Sequence, residues 1–118
     1  MEESKSLNLA KTFLGKEVEV IIDRPLGSKH PKHGFEYKVN YGYVEGVMSS
    51  DGEEMDVYFL GTNEPLQKAT GFCIAILHRK DDDDDKLIIA PKGFVASDYE
   101  IMKTVHFQEQ WFDVEIIR

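Results

Sequence analysis

The chain has little of what staples, anchors or exports a protein. A single cysteine, Cys73, stands among 118 residues. One thiol can neither close an internal disulfide nor hold zinc alone. Its neighbours Phe72 and Ile74 point to a buried thiol in a strand. No apolar run approaches the roughly 20 residues of a membrane helix. The opening residues, Met1 to Ala10, lack a cationic region followed by an apolar core, so no secretory signal is expected and the default location is the cytoplasm. A glycine-rich phosphate loop ending in Gly-Lys-Ser/Thr is missing, as is a serine nucleophile elbow. There are no internal repeats. The length suits one small domain over residues 1–118 with a modest core, and a domain that small makes a homo-oligomer plausible.

Positive charge is also scarce. Fourteen lysines and arginines face twenty-two acidic residues, for a formal net charge of -8. Residues 1–50 carry seven of each sign, so the whole excess lies in residues 51–118. Such a field disfavours a nucleic-acid backbone, which wants a cationic stripe. Tyr37, Tyr41, Tyr43 and Phe59 could stack bases, but the acidic half argues against that role. An anionic small molecule is not excluded, because divalent cations can neutralise carboxylates and bridge them to a phosphate.

What is present reads mainly as strands. Glu17 to Ile22, Tyr37 to Val44, Met55 to Leu60, Gly71 to His78 and Leu87 to Ala90 alternate or run apolar, with glycine and proline turns between them. Gly42, between two tyrosines, suggests a bulge or a close backbone approach. Ser97-Asp98-Tyr99-Glu100 has the capping-box pattern, so a helix of two to three turns is expected from about Asp98. Residues 1–13 are either a short helix or a loose arm. Trp111 to Ile117 returns to period two. Five or six short strands with one firm helix predict a mainly β fold, a small barrel or sandwich. A parallel sheet built on helix crossovers is not expected.

Three clusters carry chemistry. Asp51-Gly52-Glu53-Glu54-Met55-Asp56 places carboxylates between a turn and a strand. It is either a solvated acidic turn or one face of a magnesium site, since hard cations take oxygen ligands and keep several waters. Asp81 to Asp85, followed by Lys86, is either a solvated charge run or a hairpin tip that swings carboxylates toward the first cluster. The loop bearing Arg24, Lys29, His30, Lys32 and His33 is either simply wet or a phosphate contact. His30 and His33 flank a proline and are not a helical zinc pair. Tyr41 is either a packing residue or a hydroxyl donor to phosphate.

With those residues assembled, Asn40-Tyr41-Gly42-Tyr43 followed by Asp51-Gly52-Glu53-Glu54-Met55-Asp56-Val57 resembles the signature of the soluble, family I inorganic pyrophosphatases. Asp84-Asp85-Lys86-Leu87-Ile88-Ile89-Ala90-Pro91 resembles their third acidic segment, and Val105 to Glu109 their late helix. The resemblance implies a five-stranded barrel of the oligonucleotide-binding type with one or two outer helices. It implies magnesium-dependent hydrolysis of a phosphoanhydride, with pyrophosphate or another small phosphorylated molecule as substrate. It implies metal ligation by Asp51, Glu53, Asp56, Asp84 and Asp81, with Glu53 also holding or deprotonating the attacking water. Tyr41, Lys86 and Lys32 are implied phosphate contacts, and Arg24 is the nearest candidate for the family's arginine.

The chain also departs from that pattern. Glu53 is one methylene longer than the aspartate it matches, and Glu54 replaces a proline. Trp111-Phe112 stands where the family has Tyr-Lys, and the hairpin that brings an arginine is missing between Lys32 and Tyr37. A hydrolase with altered activity is one expectation; a non-catalytic metal- or phosphate-binding barrel, or a structural subunit, is the rival. Trp111 and Phe112 are candidate interface residues, unless they pack on the barrel.

Overall fold

A computed structural model describes residues 5–48, 52–81 and 84–118. The elements run α1 (Lys5–Lys11), β1 (Glu17–Arg24), β2 (Asn40–Met48), β3 (Glu54–Phe59), β4 (Lys68–Arg79), β5 (Asp85–Ala90), α2 (Asp98–Glu109) and β6 (Val114–Ile117). Strands pair in the order β1-β2-β3-β5-β4, and β1 pairs back onto β4 to close the barrel. β6 adds to the far end of β4, from Ile76 to Arg79. This is the expected mainly β barrel with outer helices.

Two features let so short a chain close. β4 is long enough for its first half to pair with β1 and its second with β6, while β5 runs beside it with an irregularity between Cys73 and Ala75. Gly42 and Gly71 allow backbones to touch: a Cβ on Gly42 would lie 1.8 Å from the Ile21 carbonyl oxygen, and one on Gly71 2.5 Å from that of Ala90. The close approach expected at Gly42 is therefore present.

The alternation of each strand splits the core in two. Val20, Met55, Val57, Ile76, Leu87 and Ile89 fill the barrel, and Leu7 and Ala10 of α1 join them. The opposite faces of the same strands, through Tyr58, Leu77 and Ile88, pack under Ile101 and Val105 of α2. β5 is buried on both faces, which explains its unbroken apolar run Leu87 to Ala90. Cys73 lies in the barrel core at 2% exposure, and burial pushes its thiol up to about 11.

The structure decides what the sequence left open. The N-terminal segment is a helix over its described part. The capping box forms, with the Glu100 amide donating to Ser97 Oγ at 3.1 Å and the Ser97 amide to Glu100 Oε1 at 2.9 Å. Tyr37 does not start β2 as expected. Its amide and carbonyl bond Ser28 and Gly27, so it belongs to the loop after β1. Likewise β6 begins only at Val114, because Trp111 and Phe112 belong to the turn that ends α2. The sheet also contains one parallel pair, β3 with β5, in which Asp56 is in register with Lys86. Its crossover is the strand β4 rather than a helix, which a reading that sought helices for crossovers did not anticipate.

Candidate active site

The parallel pairing of β3 and β5 brings Asp56 of the first acidic cluster beside Lys86 and Asp84 of the second. Lys86 is only 3% exposed. Its Nζ donates to Asp56 Oδ2 at 2.9 Å and to Asp84 Oδ2 at 3.3 Å. The ammonium also lies 5.5 Å from the centre of the Tyr41 ring, within cation–π range. Burial alone would lower the Lys86 pKa. Asp56 and Asp84 outweigh it and hold the value above the usual lysine range, so the side chain stays charged. Asp84 is also raised, first by burial, although Lys86 and Arg79 oppose the shift.

Around that trio runs a continuous hydrogen-bonded network. Arg79 Nη1 donates to Asp84 Oδ2 at 3.0 Å, while its Nε and Nη2 make a fork onto Glu109 at 2.8 and 2.9 Å. Burial works against the Arg79 charge, but Glu109 and Asp84 overcome it and raise its pKa above the ordinary arginine value. Tyr58 donates to Glu109 Oε2 at 2.6 Å and accepts from Gln108 Nε2 at 2.6 Å. Gln108 Oε1 accepts from the Tyr37 hydroxyl at 2.8 Å, and that hydroxyl accepts from Arg24 Nη1 at 3.0 Å. Gln108 and Glu109, from the last turn of α2, thus tie the helix to the barrel floor. Asn40, fully buried, does the same for the loops. Its Oδ1 accepts from the Leu26 and Leu66 amides, and its Nδ2 donates to the Glu64 carbonyl.

Above this floor opens a cavity of about 1100 Å³. Its lining includes the charged and hydroxyl side chains of Arg24, Tyr41, Glu53, Asp56 and Lys86, and the rings of His30, His33, Phe35, Trp111 and Phe112. Tyr41 is hydrogen-bonded to Asp56, and burial followed by the charge of Asp56 lifts its pKa well above the ordinary phenol value. The hydroxyl therefore stays protonated, with its one proton given to Asp56. Lys86 and Arg79 are opposed by Asp56, Asp84 and Glu109, so the floor has a net charge of minus one before Glu53 and Asp23 are added. A polyphosphate would meet that field unfavourably without a cation to offset it.

The structure thus brings Arg24, Tyr41, Glu53, Asp56 and Lys86 to one cavity, with Asp84 bound to Lys86 beneath it. It leaves Lys32 exposed and away from the lining, where its backbone amide caps His30 Nδ1 at 3.0 Å. Asp81 is exposed and outside the lining too. Asp51 lies outside the described residues. Glu54, the departure from the expected proline, has a structural partner: its Oε2 accepts from the Gly46 amide at 3.0 Å. Trp111 and Phe112 face the cavity mouth, with the Phe112 ring 3.8 Å from the Arg79 guanidinium carbon.

Among the described residues, no group of three or more acidic, histidine or cysteine side chains converges as a ready metal cage. The donor chemistry nonetheless fits a hard divalent ion. The donors are all carboxylate oxygens, Asp56 and Asp84 already share one cation, and magnesium takes only one or two protein carboxylates beside waters and phosphate oxygens.

Arg79 and Gln108 were not singled out from the sequence, and Tyr37 was weighed there only as a stacking ring. Arg79 carried a signal, a cation just after the apolar run Gly71 to His78 and on the same face as Leu77. Gln108 carried none, since it meets Tyr37 and Tyr58 only through the packing of α2, and nothing local tied the Tyr37 hydroxyl to Gln108 and Arg24.

No protein-family model matches the chain. Its sequence is similar to the inorganic pyrophosphatase of Yersinia pestis, 30% identical over 96 residues that take in 67% of this chain and 54% of that protein. The chain therefore spans about half the length of that relative. Its fold is similar to the crystal structure of the inorganic pyrophosphatase from Ehrlichia chaffeensis, with a TM-score of 0.67 and 19% identity over 86% of this chain and 85% of that one. The inorganic pyrophosphatase of Helicobacter pylori gives a TM-score of 0.64 at 19% identity, over 85% of this chain and 81% of that one.

Proposed function

The chain is a remote relative of the family I inorganic pyrophosphatases and has their barrel fold, and on that premise we propose that it hydrolyses a phosphoanhydride with magnesium, inorganic pyrophosphate being the first substrate to test. The observation that carries this reading is the Lys86 ammonium held between Asp56 and Asp84 at the floor of an open cavity. It joins two carboxylate segments and a fixed cation where a phosphate would sit.

Asp56, Glu53 and Asp84 would hold the magnesium, together with Asp51. Magnesium supplies Lewis acidity toward the phosphoryl oxygens and toward a water. The chain's own groups do the rest. Lys86 and Arg24 offset charge on the phosphate oxygens as they separate. Tyr41, held protonated by burial and by Asp56, would turn its one hydroxyl proton from Asp56 to a phosphate oxygen when substrate binds. Glu53, exposed at the cavity wall, takes the proton of the attacking water. The buried Arg79–Glu109 pair keeps Asp84 in place, and with it Lys86.

The test is phosphate release from pyrophosphate with magnesium, comparing the native protein with Asp56→Asn. A loss of about 100-fold or more is expected. Equal background release from both proteins refutes turnover. A second reading is favoured by one observation, that the Lys86 ammonium already occupies the space between the two carboxylates. On that reading the barrel binds a diphosphate without cleaving it. Calorimetry would then record magnesium-dependent binding of a methylene-bridged diphosphate, while pyrophosphate stays intact.

A further inference from the structure

Hydrolysis of a bare diphosphate uses only the charged and hydroxyl groups of the cavity. The lining also includes a run of rings. His30 and His33 lie 4.8 Å apart between centroids, and His30 and Phe35 also 4.8 Å. His33 and Phe35 are 6.4 Å apart with planes inclined by only 7°, and Phe35 is 5.8 Å from Trp111. Tyr37 and Phe107 support Phe35 from behind, at 5.6 and 6.0 Å. The wall is held in shape by packing, and it is wet on its cavity side, where Trp111 is 62% exposed.

The chemistry of this wall is that of flat faces rather than charges. His30 Nδ1 accepts the Lys32 and His33 amides at 3.0 Å each, which puts any ring proton of the neutral form on Nε2. Partial burial, with the neighbouring Arg24, His33 and Lys32 charges, lowers its pKa, so the ring is a neutral imidazole at neutral pH. The Phe112 ring is already stacked against Arg79. Trp111 packs against Phe35, lines the cavity and is largely exposed. A diphosphate can accept a hydrogen bond from the His30 Nε2–H, but it has no flat face to stack on Phe35 and Trp111. The cavity, at about 1100 Å³, is also of the size that houses a ligand well beyond a diphosphate, roughly 300–1000 Å³ being usual for drug-sized molecules.

We propose that the cavity takes a nucleoside polyphosphate, with the phosphates over the Lys86 floor and the base stacked on the ring wall at Trp111. The inference rests on the reading of the floor as a phosphoanhydride site and names its substrate class. Stacking on indole is tolerant of base identity because every base offers a π face. Selectivity from stacking follows ring area, so purines bind ahead of pyrimidines.

Trp111 is the only tryptophan in the chain, so its emission reports the contact directly. Two non-hydrolysable probes are titrated into the protein with magnesium: methylenediphosphonate, and adenosine 5′-(α,β-methylene)diphosphate. The adenosine probe is expected to quench Trp111 and to bind about tenfold or more tighter than the bare one, the range of a single stacked base. By calorimetry, Trp111→Ala should bring the ratio of the two affinities close to one, and Trp111→Phe should keep part of it. Equal affinities with unquenched emission overturn the inference while leaving the phosphate floor intact. An adenosine preference that survives Trp111→Ala also overturns it. Failure of both probes to bind overturns the floor reading and the inference with it.

Discussion

Replacing Glu109 tests whether the floor of the cavity is held by a buried ion pair. In the native protein the Glu109 side chain is 2% exposed and that of Arg79 9%. Glu109→Ala removes both forked bonds from Arg79 and the acceptor of the Tyr58 hydroxyl. Among the described residues it leaves the buried guanidinium with Asp84, itself shared with Lys86, and the Phe112 ring. Breaking one partner out of a buried pair costs about 3–5 kcal/mol, a large part of the roughly 5–15 kcal/mol that holds a domain together. With a urea slope of about 1–3 kcal/mol per molar, the unfolding midpoint should fall by roughly 2 M. Glu109→Gln keeps acceptor oxygen and shape but loses the charge, so it should cost about 1–3 kcal/mol and serves if the alanine variant does not fold. Adding Arg79→Met to Glu109→Ala removes the orphaned charge and should return part of the loss, a coupling that the double-mutant cycle measures. Urea unfolding followed by far-ultraviolet circular dichroism reads these proteins together with the single Arg79→Met variant that closes the cycle. A cost below about 1 kcal/mol for Glu109→Ala, with no recovery in the double variant, refutes the claim that this pair fixes the floor.

Other expectations follow from the same geometry. Gly42→Ala places a Cβ 1.8 Å from a backbone oxygen of β1, so β1 and β2 must separate; a loss of about 4 kcal/mol or more, or insoluble protein, is expected, and a native-like urea midpoint would contradict the close approach. Tyr58 has its pKa raised well above 10, by burial and then by Glu109. The folded state holds that proton more tightly than the unfolded chain does, so this contribution to stability is fully present below about pH 10 and is lost as pH rises beyond it. In an alkaline titration followed at phenolate absorbance, one or more tyrosines should therefore ionise only with unfolding, and Tyr58→Phe should remove one of them. Cys73, with its thiol pushed up to about 11 and 2% exposed, should resist a thiol reagent in the native state and react promptly in urea; fast native labelling would show that the barrel core opens.

Much of this architecture was legible because it is local. The alternation of Glu17 to Ile22, the apolar run of β5 and the capping box at Ser97 each depend on residues within one turn or one strand, and the structure places all three as read. The end of the first loop was misjudged because Tyr37 has strand chemistry but finds its backbone partners in Ser28 and Gly27. Propensity lost there to a loop that Asn40 pins from below. The resemblance pointed to Asp56 and Lys86 as a pair of roles, yet their direct contact depends on a register. β3 and β5 are parallel, and a slip of one residue along β5 would turn Lys86 to the inside of the barrel, where Leu87 and Ile89 now pack.

Hydrophobic packing therefore decides where the charge goes. The apolar side chains of β5 can face the barrel core only at Leu87 and Ile89, which sends Lys86 and Ile88 to the outer face beneath α2. Once Lys86 lies there, its burial demands carboxylate partners, and Asp56 is the residue across the ladder. The same logic applies to Arg79, which the alternation of β4 sends to the α2 side beside Leu77, where Glu109 meets it. The candidate site is thus a consequence of barrel closure as much as of its acidic motifs. A substitution that keeps every acidic residue but reverses the inward face of β5, such as exchanging Leu87 with Lys86, should abolish magnesium-dependent diphosphate binding, and retained binding in that variant would refute the dependence of the site on strand register.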